Sequence, residues 1–183
     1  MARPLWLVKL IKKNFKNRFM LASLTQKIPI YRKFIDWLMF ENDLFFYLPK
    51  DHIVIKQSLQ QPENLAVPSE IIRHFIAKSR YIWIMNTCIC RESTPCEDYP
   101  IDIGCIFMGE AVLKIDSRLG KLVSKEEAYF HLERAREAGL VHSIGRNKLD
   151  TVWLGATPGD KLLTVCHCCP CCCLYRVLPD LDR

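Results

Sequence analysis

Ten cysteines in a chain of 183 residues, all confined to two blocks, restrict this sequence more than any other feature. The first block is Cys88-x-Cys90-x5-Cys96-x8-Cys105. The second is Cys166-His-Cys168-Cys169-Pro-Cys171-Cys172-Cys173, six cysteines within eight residues. Neighbouring cysteines rarely reach disulfide geometry with each other, because Cβ atoms must lie about 3.5–4.5 Å apart at a fixed torsion. Burial as small apolar filler suits a lone cysteine but not this density. Thiolate ligation of a metal accounts for it.

The residues around the blocks favour iron over zinc. Zinc sites use isolated C-x2-C hooks, often with histidine. Here that spacing occurs only inside the crowded run, at Cys166/Cys169, Cys168/Cys171 and Cys169/Cys172. An iron–sulfur cluster takes four thiolates, so ten suffice for two clusters with two to spare. Cys88, Cys90, Cys96, Cys105, Cys166, Cys168, Cys169, Cys171, Cys172 and Cys173 are all candidate ligands. Ile89, Ile101, Ile103, Ile106, Phe107, Val165 and Leu174 supply an apolar shell of the kind that tunes a cluster's potential. Gly104 and Gly109 can bring backbone N–H groups close to sulfide. Arg91 either offsets thiolate charge or pairs at the surface with Glu92 or Asp98. The spacing differs from the C-x2-C-x2-C-x3-C-P run of bacterial ferredoxins, so ligands can be exchanged between the blocks.

The segments Trp83–Arg91, Cys96–Glu110, Glu137–His142 and Asp150–Gly155, with the terminal cysteine run, resemble small ferredoxin-like 4Fe-4S proteins of anaerobic archaea and bacteria. The resemblance covers roughly residues 45–180. It implies one or two [4Fe-4S] clusters more firmly than it implies any reaction.

Charge is distributed unevenly. Nine of the 26 basic residues fall within residues 1–35, where there is no acid, leaving 17 against 20 acidic residues beyond. At 100° per residue, Leu7, Val8, Ile11, Phe15 and Phe19 share one face of a helix over residues 4–20, and Lys9, Lys12, Lys13 and Lys16 share the other. Such a helix can lie on an anionic membrane surface, or pack on the body with a solvated basic face. The lysines interrupt any stretch of about 20 apolar residues able to span a bilayer, and any apolar signal region. The expected location is therefore the cytoplasm, at or near the inner face of the membrane, where thiols stay reduced.

The expected fold class is α+β, predominantly helical. A helical arm over residues 1–44 precedes an iron–sulfur domain over 45–183. Helices are expected over about 31–40, from Pro68, over Ile106–Ile115, and from Ser124 to Gly139, where Ser124 and Glu127 form a capping box. Strands are expected at His52–Ser58 and Tyr81–Asn86, with a polar loop at Gln60–Asn64. A hairpin is expected from Leu140–Ile144 to Thr151–Leu154.

His167 is read as filler within its block, and neither His131 nor His142 has an evident partner. No phosphate loop, nucleophile elbow or metalloprotease motif is present. The capped helix and hairpin resemble part of a winged helix, but Glu126, Glu127, Glu133 and Glu137 make the surface that would meet DNA partly acidic. These residues favour an electron carrier or redox subunit, serving a larger redox enzyme or membrane complex, over an independent enzyme. An oxidoreductase with a substrate-accessible cluster is the alternative. A cluster-dependent DNA-binding sensor is the second alternative.

Overall fold

The computed structural model describes residues 3–39, 44–48 and 68–181. They form a mixed α+β fold in which helix outweighs strand. The strands are β1 (Leu44–Leu48), β2 (Ile82–Met85), β3 (Ile106–Met108), β4 (Gly120–Leu122), β5 (Val141–Arg146) and β6 (Leu163–Cys168). They make one sheet in the order β1-β5-β6-β3-β2-β4, antiparallel at every join. The helices are α1 (Leu5–Asn14), α2 (Arg18–Leu24), α3 (Pro29–Met39), α4 (Pro68–Lys78), α5 (Ile89–Ser93), α6 (Lys125–Glu137) and α7 (Lys148–Leu154).

Alternation along the strands sorts the core into two layers. Ile82, Ile84, Ile106, Met108, Ile144 and Val165 pack beneath Ile72 and Ile76 of α4 and Ala128 and Leu132 of α6. The intervening residues Trp83, Met85 and Phe107 face the other way, toward Val8 of α1 and Trp153 and Leu154 of α7. The sheet is therefore covered on both sides, and β2 and β3 are buried throughout.

Several local expectations are met. Ser124 Oγ accepts from the Glu127 amide at 3.2 Å, and the Glu127 carboxylate accepts from the Ser124 amide at 3.0 Å, closing the capping box. The strand before Cys88 is β2. Two expectations fail. Ile106–Ile115 is not a helix, because Ile106–Met108 is claimed by β2 and β6 on either side. Gly109 then turns at φ +107°, and Glu110–Lys114 makes only a 3₁₀ segment. No hairpin follows α6. β5 pairs with β1 and β6, and Lys148–Leu154 is helical because the Asn147 side chain accepts from the Leu149 amide at 2.7 Å. The expected strand at His52–Ser58 and the loop at Gln60–Asn64 lie outside the described residues.

The N-terminal segment is built into the body. Val8 is fully buried, and Leu5, Ile11 and Phe15 pack against the same core layer. Three of the nine basic residues take part in this docking. Arg3 Nε donates to the Val152 carbonyl at 2.7 Å, Lys12 pairs with Glu92 at 2.5 Å, and Arg18 is buried. The opposite side of α1 presents Trp6 and Leu10, 67% and 48% exposed, between the exposed Lys9 and Lys13. Among the described residues no helix is long and apolar enough to cross a membrane.

Val8→Ser leaves a cavity and an unpartnered hydroxyl in the core. It is expected to lower the unfolding free energy by roughly 2–3 kcal/mol, whereas Trp6→Ser should change it by about 0.5 kcal/mol or less. Denaturant midpoints of the two variants check the contrast.

Candidate metal centre

The ten thiols converge because β6 lies in the sheet beside β3, laying the second cysteine block against the first. Within β6 the two-residue period sends Cys166 and Cys168 to the layer of Phe107 and Trp153, and His167 to the opposite side. The chain leaves β6 and turns at Pro170, so Cys169, Cys171 and Cys172 gather beyond the end of the sheet. Cys173 then returns toward the first layer. Consecutive residues thus serve two places, which is why cysteines stand side by side in the sequence.

The sulfurs of Cys96, Cys169, Cys171 and Cys172 all lie within 4.8 Å of one another. Cys96 and Cys171 are 3.3 Å apart, and Cys171 and Cys172 are 3.6 Å apart. Cys169 and Cys172 are buried. This four-thiol group can hold a metal. Ile103, Ala135 and Leu140 surround it with apolar surface. The Cys172 amide donates to Cys169 Sγ at 3.3 Å. Burial raises the Cys171 thiol and pushes Cys172 up to about 11. Burial raises Cys169 too, but the Cys172 and Cys171 amides, the Cys171 thiol and Arg91 outweigh it and hold this thiol below its ordinary value.

The other six cysteines, together with Cys169, line a cavity of about 140 Å³ on the α1 and α7 side of the sheet. Cys88 caps α5 and Cys90 lies within it, while Cys105 precedes β3. Cys168 and Cys173 reach the same cavity from the tail. Cys105 and Cys166 meet at 3.4 Å. Contact with a neighbouring thiol, together with burial, raises Cys88, Cys90, Cys166 and Cys173. Each group therefore draws on both blocks: Cys96 joins three residues of the tail, and Cys88, Cys90 and Cys105 join the other three.

Arg91 lies between the groups and is completely buried. One Nη donates to the His167 carbonyl at 2.8 Å and the other to the Ile103 carbonyl. Its Nε has no hydrogen-bond partner. It makes no ion pair with a carboxylate among the described residues, and Glu92, the expected surface partner, pairs with Lys12 instead. The titratable groups nearest it are the thiols of Cys88, Cys169 and Cys105. A buried guanidinium needs a counter-charge, and thiolates or an anionic thiolate-bound group supply one here. The donor set and this unmatched cation both fit a metal–thiolate centre. Arg18, also buried, donates to the Cys172 carbonyl at 2.6 Å and to Thr94 Oγ1 at 3.1 Å, tying the N-terminal segment to the four-thiol group.

Gly104 is set by close packing. A Cβ there would sit 2.2 Å from the Met85 carbonyl oxygen, so the glycine lets the chain approach β2. The histidines do have partners. His142 and His167 sit opposite each other in the β5–β6 register, with Nδ1 atoms 2.9 Å apart, and His131 Nε2 bonds the Gly104 carbonyl at 2.8 Å. Burial lowers His167 well below its ordinary value, reinforced by the neighbouring His142, His131 and Arg91. The His142–His167 pair follows from the strand pairing, and no local pattern announces it.

Comparison with protein-family models, curated proteins and solved structures found no match.

Thiols held protonated must lose their protons to bind a metal, so affinity rises with pH. In anaerobic titrations with cobalt(II), binding to the cysteine groups should tighten between pH 6.5 and 7.5, by up to about tenfold for each proton released. The sulfur-to-cobalt absorption band reads this directly, and a pH-independent affinity would contradict it.

Proposed function

We propose that the chain is an iron–sulfur protein that passes single electrons to a larger redox enzyme or membrane complex. The observation that supports this best is the gathering of ten thiols into two groups beside Arg91, a buried cation with no carboxylate partner among the described residues. Cys96, Cys169, Cys171 and Cys172 would hold one [4Fe-4S] cluster. Cys88, Cys90, Cys168 and Cys173, which line one cavity together, would hold a second. A bound cluster of this kind supplies a one-electron couple, with its potential set by burial and by hydrogen bonds to sulfur. The chain contributes the apolar shell, the Cys172 amide bond to sulfur and the positive charge of Arg91.

The exposed side of α1 suits docking on an anionic membrane surface. Trp6 and Leu10 offer an interfacial apolar pair, and Lys9, Lys13 and Lys16 flank them. Binding there would combine apolar burial with about 1 kcal/mol per nearby lysine.

Protein purified without oxygen is expected to be brown and to contain iron with acid-labile sulfide. Cys96→Ala should lose about half the iron while the remaining signal persists in low-temperature EPR. Stoichiometric zinc without sulfide would refute the cluster reading. Replacing Lys9, Lys13 and Lys16 with Gln should release the protein from anionic liposomes, and failure of the parent protein to co-sediment would refute membrane docking.

A further inference from the structure

The two thiols outside the proposed ligand sets, Cys105 and Cys166, have a geometry of their own. β3 and β6 pair with Ile106 opposite Val165 and Phe107 opposite Thr164. One further step along this register places Cys105 opposite Cys166. Directly opposed residues of an antiparallel pair have Cα atoms about 4.5–5.5 Å apart. That lies inside the span a disulfide tolerates, about 4.4–6.8 Å. Their sulfurs are already 3.4 Å apart. Side-chain rotation alone can therefore close the bond, with the sheet unmoved. Both thiols line the cavity on the α1 side, where Ile11, Phe15, Leu149 and Trp153 make its wall apolar. Cys105 is buried and Cys166 is half-buried.

We propose that Cys105 and Cys166 form a redox-active dithiol that reduces small disulfides at the half-buried Cys166 sulfur. The proposal rests on the metal–thiolate reading, which occupies the other eight cysteines. The more exposed Cys166 sulfur attacks one sulfur of the substrate disulfide. A mixed disulfide forms, and the first substrate thiol leaves. Cys105 then attacks the Cys166 sulfur, the Cys105–Cys166 bond forms, and the second substrate thiol leaves. Two protein thiols are oxidised and one substrate disulfide is reduced. The two protons lost by the cysteines end on the two released thiols.

The test uses anaerobically prepared full-length protein and 2-hydroxyethyl disulfide. Peptide mapping should find a Cys105–Cys166 disulfide, two thiols should be released per chain, and the iron content should stay unchanged. Cys105→Ser should stop at a mixed disulfide on Cys166, releasing one thiol, again with full iron. Loss of iron in Cys105→Ser would show that Cys105 is a ligand and overturn the proposal. So would disulfides formed among other cysteines, or no thiol release from the parent protein. Should the parent protein hold no iron, the cluster reading fails on that assay alone, and the same peptide map still decides the Cys105–Cys166 pairing.

Discussion

The pairing of β6 with β3 is the constraint on which the rest depends. The two cysteine blocks are separated by some sixty residues, and loop closure alone would not hold them together. The ladder does, by fixing Ile106 against Val165 and Phe107 against Thr164. A slip of one residue would exchange the two faces of β6. Cys166 and Cys168 would then point under α6, away from the thiols of the first block. The apolar side chains forbid that slip, because Val165 is fully buried beneath α4 and α6. Ordinary core packing thus sets the position of every thiol in the tail.

Charge is the second constraint. Arg91 and Arg18 are both buried, and each makes its best hydrogen bonds to backbone carbonyls of the cysteine segments. A carbonyl satisfies a donor but does not neutralise a full charge, so desolvation of these guanidinium groups costs stability unless anions lie nearby. The raised thiols of the ligand-free chain cannot provide that charge at neutral pH. A metal bound by these thiols would deprotonate them and supply the missing anions in the same step. Binding there would then be coupled to folding through electrostatics as well as through geometry.

The parts of the fold written in local pattern were legible in the sequence. Ser124 and Glu127 announce α6, and Ile82–Met85 reads as a buried strand. The thiol chemistry follows from cysteine density alone. The parts that depend on non-local pairing were not legible. Ile106–Met108 has no intrinsic signal separating it from a helix start, and only its two neighbouring strands decide the matter. Lys148–Leu154 turned on a single cap, Asn147. For the N-terminal helix, periodicity located Val8, Ile11 and Phe15 on one face. It could not say whether lipid or protein covers that face, and the structure places the core there. The division of the thiols into groups needed the register of β6 and the turn at Pro170, neither visible from spacing.

That division has a mechanical consequence. The groups abut at two peptide units, Cys168–Cys169 and Cys172–Cys173, where neighbouring Cα atoms are only about 3.8 Å apart. Each junction has one residue on each side. The turn between them is held by the Cys172 amide bond to Cys169 sulfur and by Arg18 and Arg176, which donate to the Cys172 and Cys171 carbonyls. A displacement of this turn therefore cannot alter the four-thiol group without moving Cys168 or Cys173 in the cavity. Arg18 belongs to the N-terminal segment, whose outer side carries Trp6 and Leu10. The same segment meets the thiol region again through Lys12 at Glu92 of α5 and through Ile11 and Phe15 at the cavity wall, so its position and the geometry of both thiol groups are tied at several points.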